Sequence, residues 1–336
     1  FMKQTQNILA DTFGRTHNYL RISLTERCNL RCSYCMPMDG VPLTPKPHLM
    51  TGEELFEIAK LFVDAGVNKI RLTGGEPLIR KDFPEILTHL STLPVSLSIT
   101  SNGVNIDRHI AILKSHHVST INLSLDTLDA IKFKKITFRD YFEKVYANIF
   151  KLIDAGFKIK INVVLMKGIN DNEINDFIEF TKNHPVNVRF IEFMPFDGNN
   201  WNREKTVSLK DILHRLDTAF AKAEILRLPD APNDTAKNYK IAGYTGEFGI
   251  ISTVTNPFCD SCNRIRLTAN GQLKNCLFST TESDLLTPFR EGKDIKPIIQ
   301  KAVLGKHAMR GGLSTPEQFN DPKEHSDNRS MIRIGG

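Results

Sequence analysis

The sequence predicts an α/β fold, an open six-stranded partial (β/α) barrel closed by a smaller C-terminal region. Three observations carry this. Six short β-branched runs recur along the chain, helical patterns lie between them, and the alternation stops after Phe220. Strand–helix alternation implies parallel strands with helices outside. Six such units fall short of the eight that close a full barrel.

The strand runs are 19–25, 68–73, 95–100, 119–125, 158–164 and 186–192. Helical patterns occupy 52–65, 82–90, 107–115, 141–155, 172–183 and 209–220. Thr51 and Glu54 have the spacing of a capping box, and Gly66 and Gly156 follow helix ends, where a left-handed residue stops the chain. Residues 1–220 are therefore expected to form the partial barrel, and 221–336 a second region. Within the latter, 221–280 holds Gly, Asn and Thr with short apolar pieces. From Thr281 onward the chain is polar and is expected to wrap the surface.

Parity along the strands says where a ligand would sit. Side chains alternate faces. One face is apolar: Leu20, Ile22 and Leu24, then Ile70 and Leu72, Leu97 and Ile99, Ile121 and Leu123, Ile159 and Ile161. The other carries Arg21, Ser23 and Thr25, then Arg71 and Thr73, Ser96, Ser98 and Thr100, Asn122, Ser124 and Asp126, Lys158, Lys160 and Asn162, and finally Asn187 and Arg189. Ordinary barrels fill the interior with branched apolar side chains. A dry cationic interior without partners is costly, so a large, polar, anionic ligand is expected there. An internal salt-bridge network is the alternative, but Asp126 is the only acid of the inward set.

With 336 residues, 40% of them hydrophobic and 24% charged, the chain can bury a sizeable core and is not compositionally disordered. A net charge of +6 suits an anionic small molecule at least as well as nucleic acid. No apolar run reaches a membrane-spanning length, and the stretch from Met2, MKQTQNILADTFGR, lacks a signal-peptide core. A cytoplasmic protein without membrane or nucleic-acid partners is expected. In such a chain, clustered cysteines point to metal binding or chemistry rather than disulfides.

Six cysteines form two groups. Cys28, Cys32 and Cys35 follow the first strand in C-x₃-C-x₂-C spacing. Three thiolates leave one iron of a cubane cluster open for another ligand. Zinc prefers four protein ligands at structural sites, and buried thiols need no fixed spacing. Thr73-Gly74-Gly75-Glu76-Pro77 follows the second strand, with glycines that permit close backbone approach. Cys259 and Cys262, with Cys276 further on, again lack a fourth ligand, and no histidine intervenes. A second three-cysteine cluster accounts for this better than a zinc ribbon. Between them lie Arg264 and Arg266, whose forks suit phosphate oxygens.

The first triad with its aromatic Tyr34, together with the GGE segment, resembles the signature of the radical S-adenosylmethionine (SAM) superfamily. Over nearly the whole chain the sequence is similar to the GTP 3′,8-cyclases of molybdenum cofactor synthesis. The likeness rests on LRISLTERC from Leu20, RLTGGEP from Arg71, TSNG from Thr100, NLSLD from Asn122, KINVV from Lys160, RFIEFMPFDG from Arg189, both triads and Gly335-Gly336. It implies two [4Fe-4S] clusters, on Cys28, Cys32 and Cys35 and on Cys259, Cys262 and Cys276. It implies SAM contacts at Tyr34, Gly75, Ser124 and Met194. GTP contacts are implied at Arg21, Arg71, Thr100, Lys160, Arg189, Arg264, Ile265 and Arg266, with Lys160, Arg264 and Arg266 as the catalytic residues.

The resemblance further implies cyclisation of GTP to 3′,8-cyclo-7,8-dihydro-GTP and transfer of that product to cyclic pyranopterin monophosphate synthase. An electron donor such as flavodoxin or ferredoxin and a homodimeric state are also implied, as is entry of the Gly-Gly tail into the active site. No P-loop is present, so side-chain cations must hold the triphosphate. Phe138 departs from the smaller residue common in relatives, and 225–245 shows little recognisable pattern. His116 and His117 read as helix-end surface residues without a role.

Overall fold

In the computed structural model the described residues are 7–37 and 39–336; residues 2–6 of the stretch read for a signal peptide lie outside them. The six expected strands form as β1 Tyr19–Ser23, β2 Lys69–Thr73, β3 Ser96–Ser101, β4 Thr120–Ser124, β5 Lys158–Leu165 and β6 Val186–Glu192. They lie side by side in chain order, each parallel to the next. Six further strands follow: β7 Ile225–Arg227, β8 Lys237–Ile241, β9 Glu247–Ile251, β10 Arg264–Leu267, β11 Gln272–Lys274 and β12 Ser283–Asp284.

The expected count of six is therefore corrected to one twelve-stranded sheet, in the order β12-β11-β10-β1-β2-β3-β4-β5-β6-β9-β8-β7. The chain beyond 220 adds to both edges. β10 runs parallel to β1 and β9 parallel to β6, while β7, β8, β11 and β12 pair antiparallel. These strands are two to five residues long and lack intervening helices, so strand–helix alternation could not reveal them.

The helices are α1 Gly52–Asp64, α2 Phe83–Leu90, α3 Ile110–Ser115, α4 Ala130–Thr137, α5 Phe142–Asp154, α6 Ile174–Phe180, α7 Leu209–Ala219, α8 Leu286–Arg290, α9 Lys296–Leu304, α10 Pro316–Asn320 and α11 Met331–Ile334. The capping box forms: Thr51 Oγ1 accepts from Glu54 N at 3.2 Å, and Glu54 Oε2 accepts from Thr51 N at 2.8 Å. α1 buries Leu55, Ile58, Ala59 and Phe62, the i, i+3, i+4, i+7 stripe of a helix laid on a sheet. The apolar strand face, Leu20, Ile22, Ile70, Leu72, Ile99, Ile121, Leu123 and Ile161, is buried beneath the helices. Each such side chain contributes roughly 1.5–3 kcal/mol relative to exposure.

Two expectations about local structure change. α4 was not predicted, because its sequence AIKFKKIT is half polar; it is held by burial of Phe133 and Ile136. The segment after Thr281 is not a polar wrap. It buries Ile295, Ile299, Val303, Phe319, Ile332 and Ile334, spread over helices too short for a clear period.

Candidate active site

One cavity of about 570 Å³ lies inside the sheet's curve, and the polar strand parity lines it. Arg21 comes from β1, Arg71 and Thr73 from β2, Thr100 from β3, Asn122 and Ser124 from β4, Lys160 and Asn162 from β5, Arg189 from β6, and Arg264 and Arg266 from β10. All six cysteines line the same cavity, as do Tyr34, Gly75, Asp126 and Met194. Alternation along each strand delivers the cations inward while the same ladder buries the apolar face outward.

The cations crowd one another. Burial and the Arg266 guanidinium hold Arg21 well below its ordinary range. Lys160 is pulled down to about 7 by burial and then by Arg189, Arg71 and Lys69. Arg189 and Arg266 are each brought to about 10, mainly by burial and next by a neighbouring arginine. Burial would raise the Tyr19 hydroxyl, yet Arg71, Arg21 and Lys69 bring it below 10.0. Buried polar atoms here also lack partners: Arg21 Nε, Thr100 Oγ1, Asn122 Oδ1, Asn162 Oδ1 and Arg264 NH2. Buried polar groups are normally satisfied. A set of unsatisfied donors and acceptors with crowded cations fits a polyanion carrying a polar heterocycle.

The first triad sits on the loop after β1. Backbone hydrogen bonds from Arg31 N to Thr137 O and from Ser33 N to Ile136 O tie that loop to the end of α4, at 2.9 and 3.0 Å. Its other side is held by the GGE segment. Gly75 N donates to Thr25 O at 2.7 Å and Glu76 N to Arg27 O at 2.8 Å. A Cβ at Gly75 would collide with the Arg27 carbonyl, and one at Gly74 would lie 2.8 Å from Thr25 O. The glycines thus serve the close packing of two loops as well as any approach to a ligand.

The Glu76 carboxylate turns to protein, accepting from Ser101 Oγ at 2.9 Å and Asn102 N at 2.7 Å; burial raises it to about 7. Asn199 Nδ2 bridges the carbonyls of Tyr34 and Met194 at 3.1 and 2.9 Å, bringing two of the expected SAM contacts together.

Both triads fit a cluster by the chemistry of their donors. All six thiols are free and half-buried. Burial, then Asp126, Cys28 and Cys35, push Cys32 well above 9.0, and burial and Glu76 raise Cys28 to about 11. Thiols that repel one another in this way are relieved by a cationic centre that takes them as thiolates. At the second triad, burial raises Cys262, but Lys306 and Arg264 outweigh it and bring the thiol to about 6. Among the described residues no three His, Cys, Asp or Glu side chains are grouped as a single-ion site. A cubane takes one thiolate on each of three irons and needs no common centre.

The segment from α11 onward enters the cavity. Arg21 NH2 donates to Gly336 O and Arg266 NH1 to Gly335 O, each at 2.6 Å. Gly335 adopts φ +86° between β1 and β2, where a Cβ would lie 2.5 Å from Thr73 Oγ1. The glycine is required here both by its conformation and by the space.

Of the expected site residues, Ile265 alone does not reach the cavity. It is buried on the opposite face of β10, in the apolar core, as its parity between Arg264 and Arg266 dictates. Sequence reasoning missed Tyr19 and Lys69, which line the cavity, with Lys69 Nζ 4.7 Å from the Tyr19 ring centre. Both share the parity of Arg21 and Arg71, so carrying the alternation one step back would have found them. It also missed Asp234, in the 232–235 lining segment, and the buried Lys306.

A partly barrelled parallel sheet with a three-cysteine loop after its first strand defines a radical SAM protein, and a model of the radical SAM superfamily matches residues 22–181. A second model, described as Molybdenum Cofactor Synthesis C, matches 186–310. The chain belongs to the GTP 3′,8-cyclase family. It is 47% identical over 336 residues to the mitochondrial GTP 3′,8-cyclase of Arabidopsis thaliana, covering 98% of this chain and 84% of that one. It is 40% identical over 337 residues to the GTP 3′,8-cyclase of Listeria welshimeri, covering 98% and 99%.

Against the molybdenum cofactor biosynthesis protein 1 of Homo sapiens it is 45% identical over 332 residues, covering 97% of this chain but 51% of that protein. The chain thus spans about half the length of that relative. The crystal structure of Streptococcus suis SuiB bound to S-adenosylmethionine shares the fold, with a TM-score of 0.60 and 17% identity over 84% of this chain and 65% of that one.

Proposed function

We propose that this chain cyclises GTP to 3′,8-cyclo-7,8-dihydro-GTP, the first step of molybdenum cofactor synthesis, with two [4Fe-4S] clusters and SAM. The observation that carries the reading is the single cavity lined at once by both cysteine triads and by the inward cations. When bound, the first cluster and SAM would supply the radical chemistry that hydrogen abstraction from the ribose of GTP requires.

The protein's own residues bind, orient and exclude. Cys28, Cys32 and Cys35 would hold the first cluster, and Tyr34, Gly75, Ser124 and Met194 would contact the SAM that binds beside it. Arg21, Arg71, Lys160, Arg189, Arg264 and Arg266, with Thr100, take the triphosphate and sugar of GTP. Cys259, Cys262 and Cys276 would hold the second cluster, which would supply a point of attachment for the guanine. Fixing ribose and base in one pose can lower the barrier by roughly 7–11 kcal/mol. Lys160 lies near neutrality when free and takes up a proton as it meets phosphate.

We keep residues 1–220 as the SAM-cleaving barrel and 221–336 as the portion carrying the second cluster. The product passes to cyclic pyranopterin monophosphate synthase, an electron carrier such as flavodoxin or ferredoxin reduces the first cluster, and the protein works as a cytoplasmic homodimer. No helix among the described residues is long and apolar enough to cross a membrane.

The test is anaerobic reconstitution with iron and sulfide, counting iron per chain and recording Mössbauer spectra with and without GTP. About eight irons in two cubanes, one of them perturbed by GTP, is the expected result. Four irons would remove the second-cluster role.

A further inference from the structure

Among the described residues, Lys306 is a buried cation with no carboxylate in salt-bridge contact. It is 4% exposed, just past α9. Among the described residues its ammonium makes two hydrogen bonds, to Cys262 Sγ at 3.3 Å and to the Arg264 carbonyl at 3.0 Å. A buried ammonium is costly unless an anion meets it. Of the two groups its ammonium touches among the described residues, the Cys262 sulfur is the one that can become an anion, as a thiolate.

The segment that carries Lys306 is clamped. Arg15, itself paired with Asp11 at 2.5 Å, donates to His307 O at 2.8 Å, Ala308 O at 2.9 Å and Cys259 O at 3.0 Å. One guanidinium therefore fixes the backbone beside Lys306 to the backbone of a second-triad cysteine. The clamp fixes the backbone from which the Lys306 side chain reaches Cys262.

Among the described residues the first triad has no such cation against its sulfurs. Its sulfur contacts are neutral, from Leu30 N to Cys28 Sγ at 3.4 Å and from Asn102 Nδ2 to Cys28 Sγ at 3.6 Å. The ionisable side chains facing it, besides its own thiols, are the acids Glu76 and Asp126 and the Tyr34 hydroxyl, with no cation among them. Hydrogen bonds and positive charge at the sulfurs raise a cluster's reduction potential, and negative charge lowers it.

We propose that Lys306 is a positioning and potential-setting residue of the second triad: its hydrogen bond to the Cys262 thiolate holds that cluster at a less negative potential than the first. The proposal rests on the two-cluster reading above. Its consequence is a division of labour by electrostatics, with the strongly reducing centre confined to the acid-flanked triad.

The test uses the full chain carrying Cys28→Ala, Cys32→Ala and Cys35→Ala, reconstituted anaerobically so that only the second triad can hold iron. EPR-monitored redox titration is run with and without Lys306→Met and Lys306→Arg. Lys306→Met is expected to shift the midpoint to more negative potential, and Lys306→Arg to restore most of it. An unchanged midpoint in Lys306→Met at full iron content would overturn the proposal. No iron in the triple-alanine chain would overturn the second-cluster reading itself, a different failure. Should Lys306→Met lose its iron, the triple-alanine chain is labelled with ¹⁵N-lysine. A ¹⁵N hyperfine coupling on the cluster signal is then the expected result, and its absence refutes the hydrogen bond.

Discussion

Replacing Lys160 by methionine should stabilise the protein while weakening substrate binding. Methionine keeps the length of the side chain and removes the charge. In the free protein, burial and then Arg189, Arg71 and Lys69 bring Lys160 from 10.5 to about 7. At 1.36 kcal/mol per pH unit that displacement is worth roughly 5 kcal/mol. Solvent screening of a side chain that is not fully enclosed reduces it to roughly 1–3 kcal/mol.

The sign follows from proton counting. Below pH 7 both folded and unfolded chains carry the proton, and the folded state bears the whole penalty. Between pH 7 and 10.5 the folded chain has released it and the unfolded chain has not, so wild-type stability rises with pH across that window. The advantage of Lys160→Met should therefore be largest at pH 6 and shrink toward pH 10. Urea denaturation at pH 6, 7.5 and 9 measures it. GTP binding by equilibrium dialysis should weaken about tenfold to a hundredfold, the loss of one charge-assisted contact. A variant less stable than wild type at pH 6, or an advantage that does not change with pH, would refute the crowded-cation argument.

Three further outcomes are expected. Gly75→Ala would drive a Cβ into the Arg27 carbonyl; a loss of about 1–3 kcal/mol and a fall in iron bound by the first triad would follow, and full iron content would count against the packing role. Cys262→Ser should leave 5′-deoxyadenosine formation detectable by chromatography but stop the cyclic product, so normal product would remove the second-cluster role. Gly335→Ala, at φ +86° and 2.5 Å from Thr73 Oγ1, should cost about 1–2 kcal/mol of local strain and displace the tail. Turnover and the chemical shift of labelled Gly336 would both report this.

The site was more legible in the sequence than the sheet that carries it. Alternation is a period-two signal, so Arg21, Arg71, Thr100, Lys160 and Arg189 could be assigned to one face from strands five to eight residues long. The same rule, applied two residues earlier, also reaches Tyr19 and Lys69. By the same rule Ile265 faces away from the cavity, although the family resemblance put it among the contacts. The outer strands gave no such signal. β11 has three residues and β12 two, too few to show a period, and they are placed by pairing with distant segments. Lys306 could not have been singled out for a similar reason, because its partner Cys262 is 44 residues away and a lone lysine after a helix usually faces water.

The parallel pairing of β10 with β1 has a mechanical consequence. The first cysteine loop leaves the end of β1 and the second triad flanks β10, and Arg21 stands directly opposite Arg266 in that ladder. The strands from which the two groups spring are therefore held in fixed register by a hydrogen-bonded ladder, like marks on a common ruler. The strands under both cysteine groups thus belong to one continuous sheet, and 232–235, from the chain beyond that shared ladder, contribute to the same cavity wall.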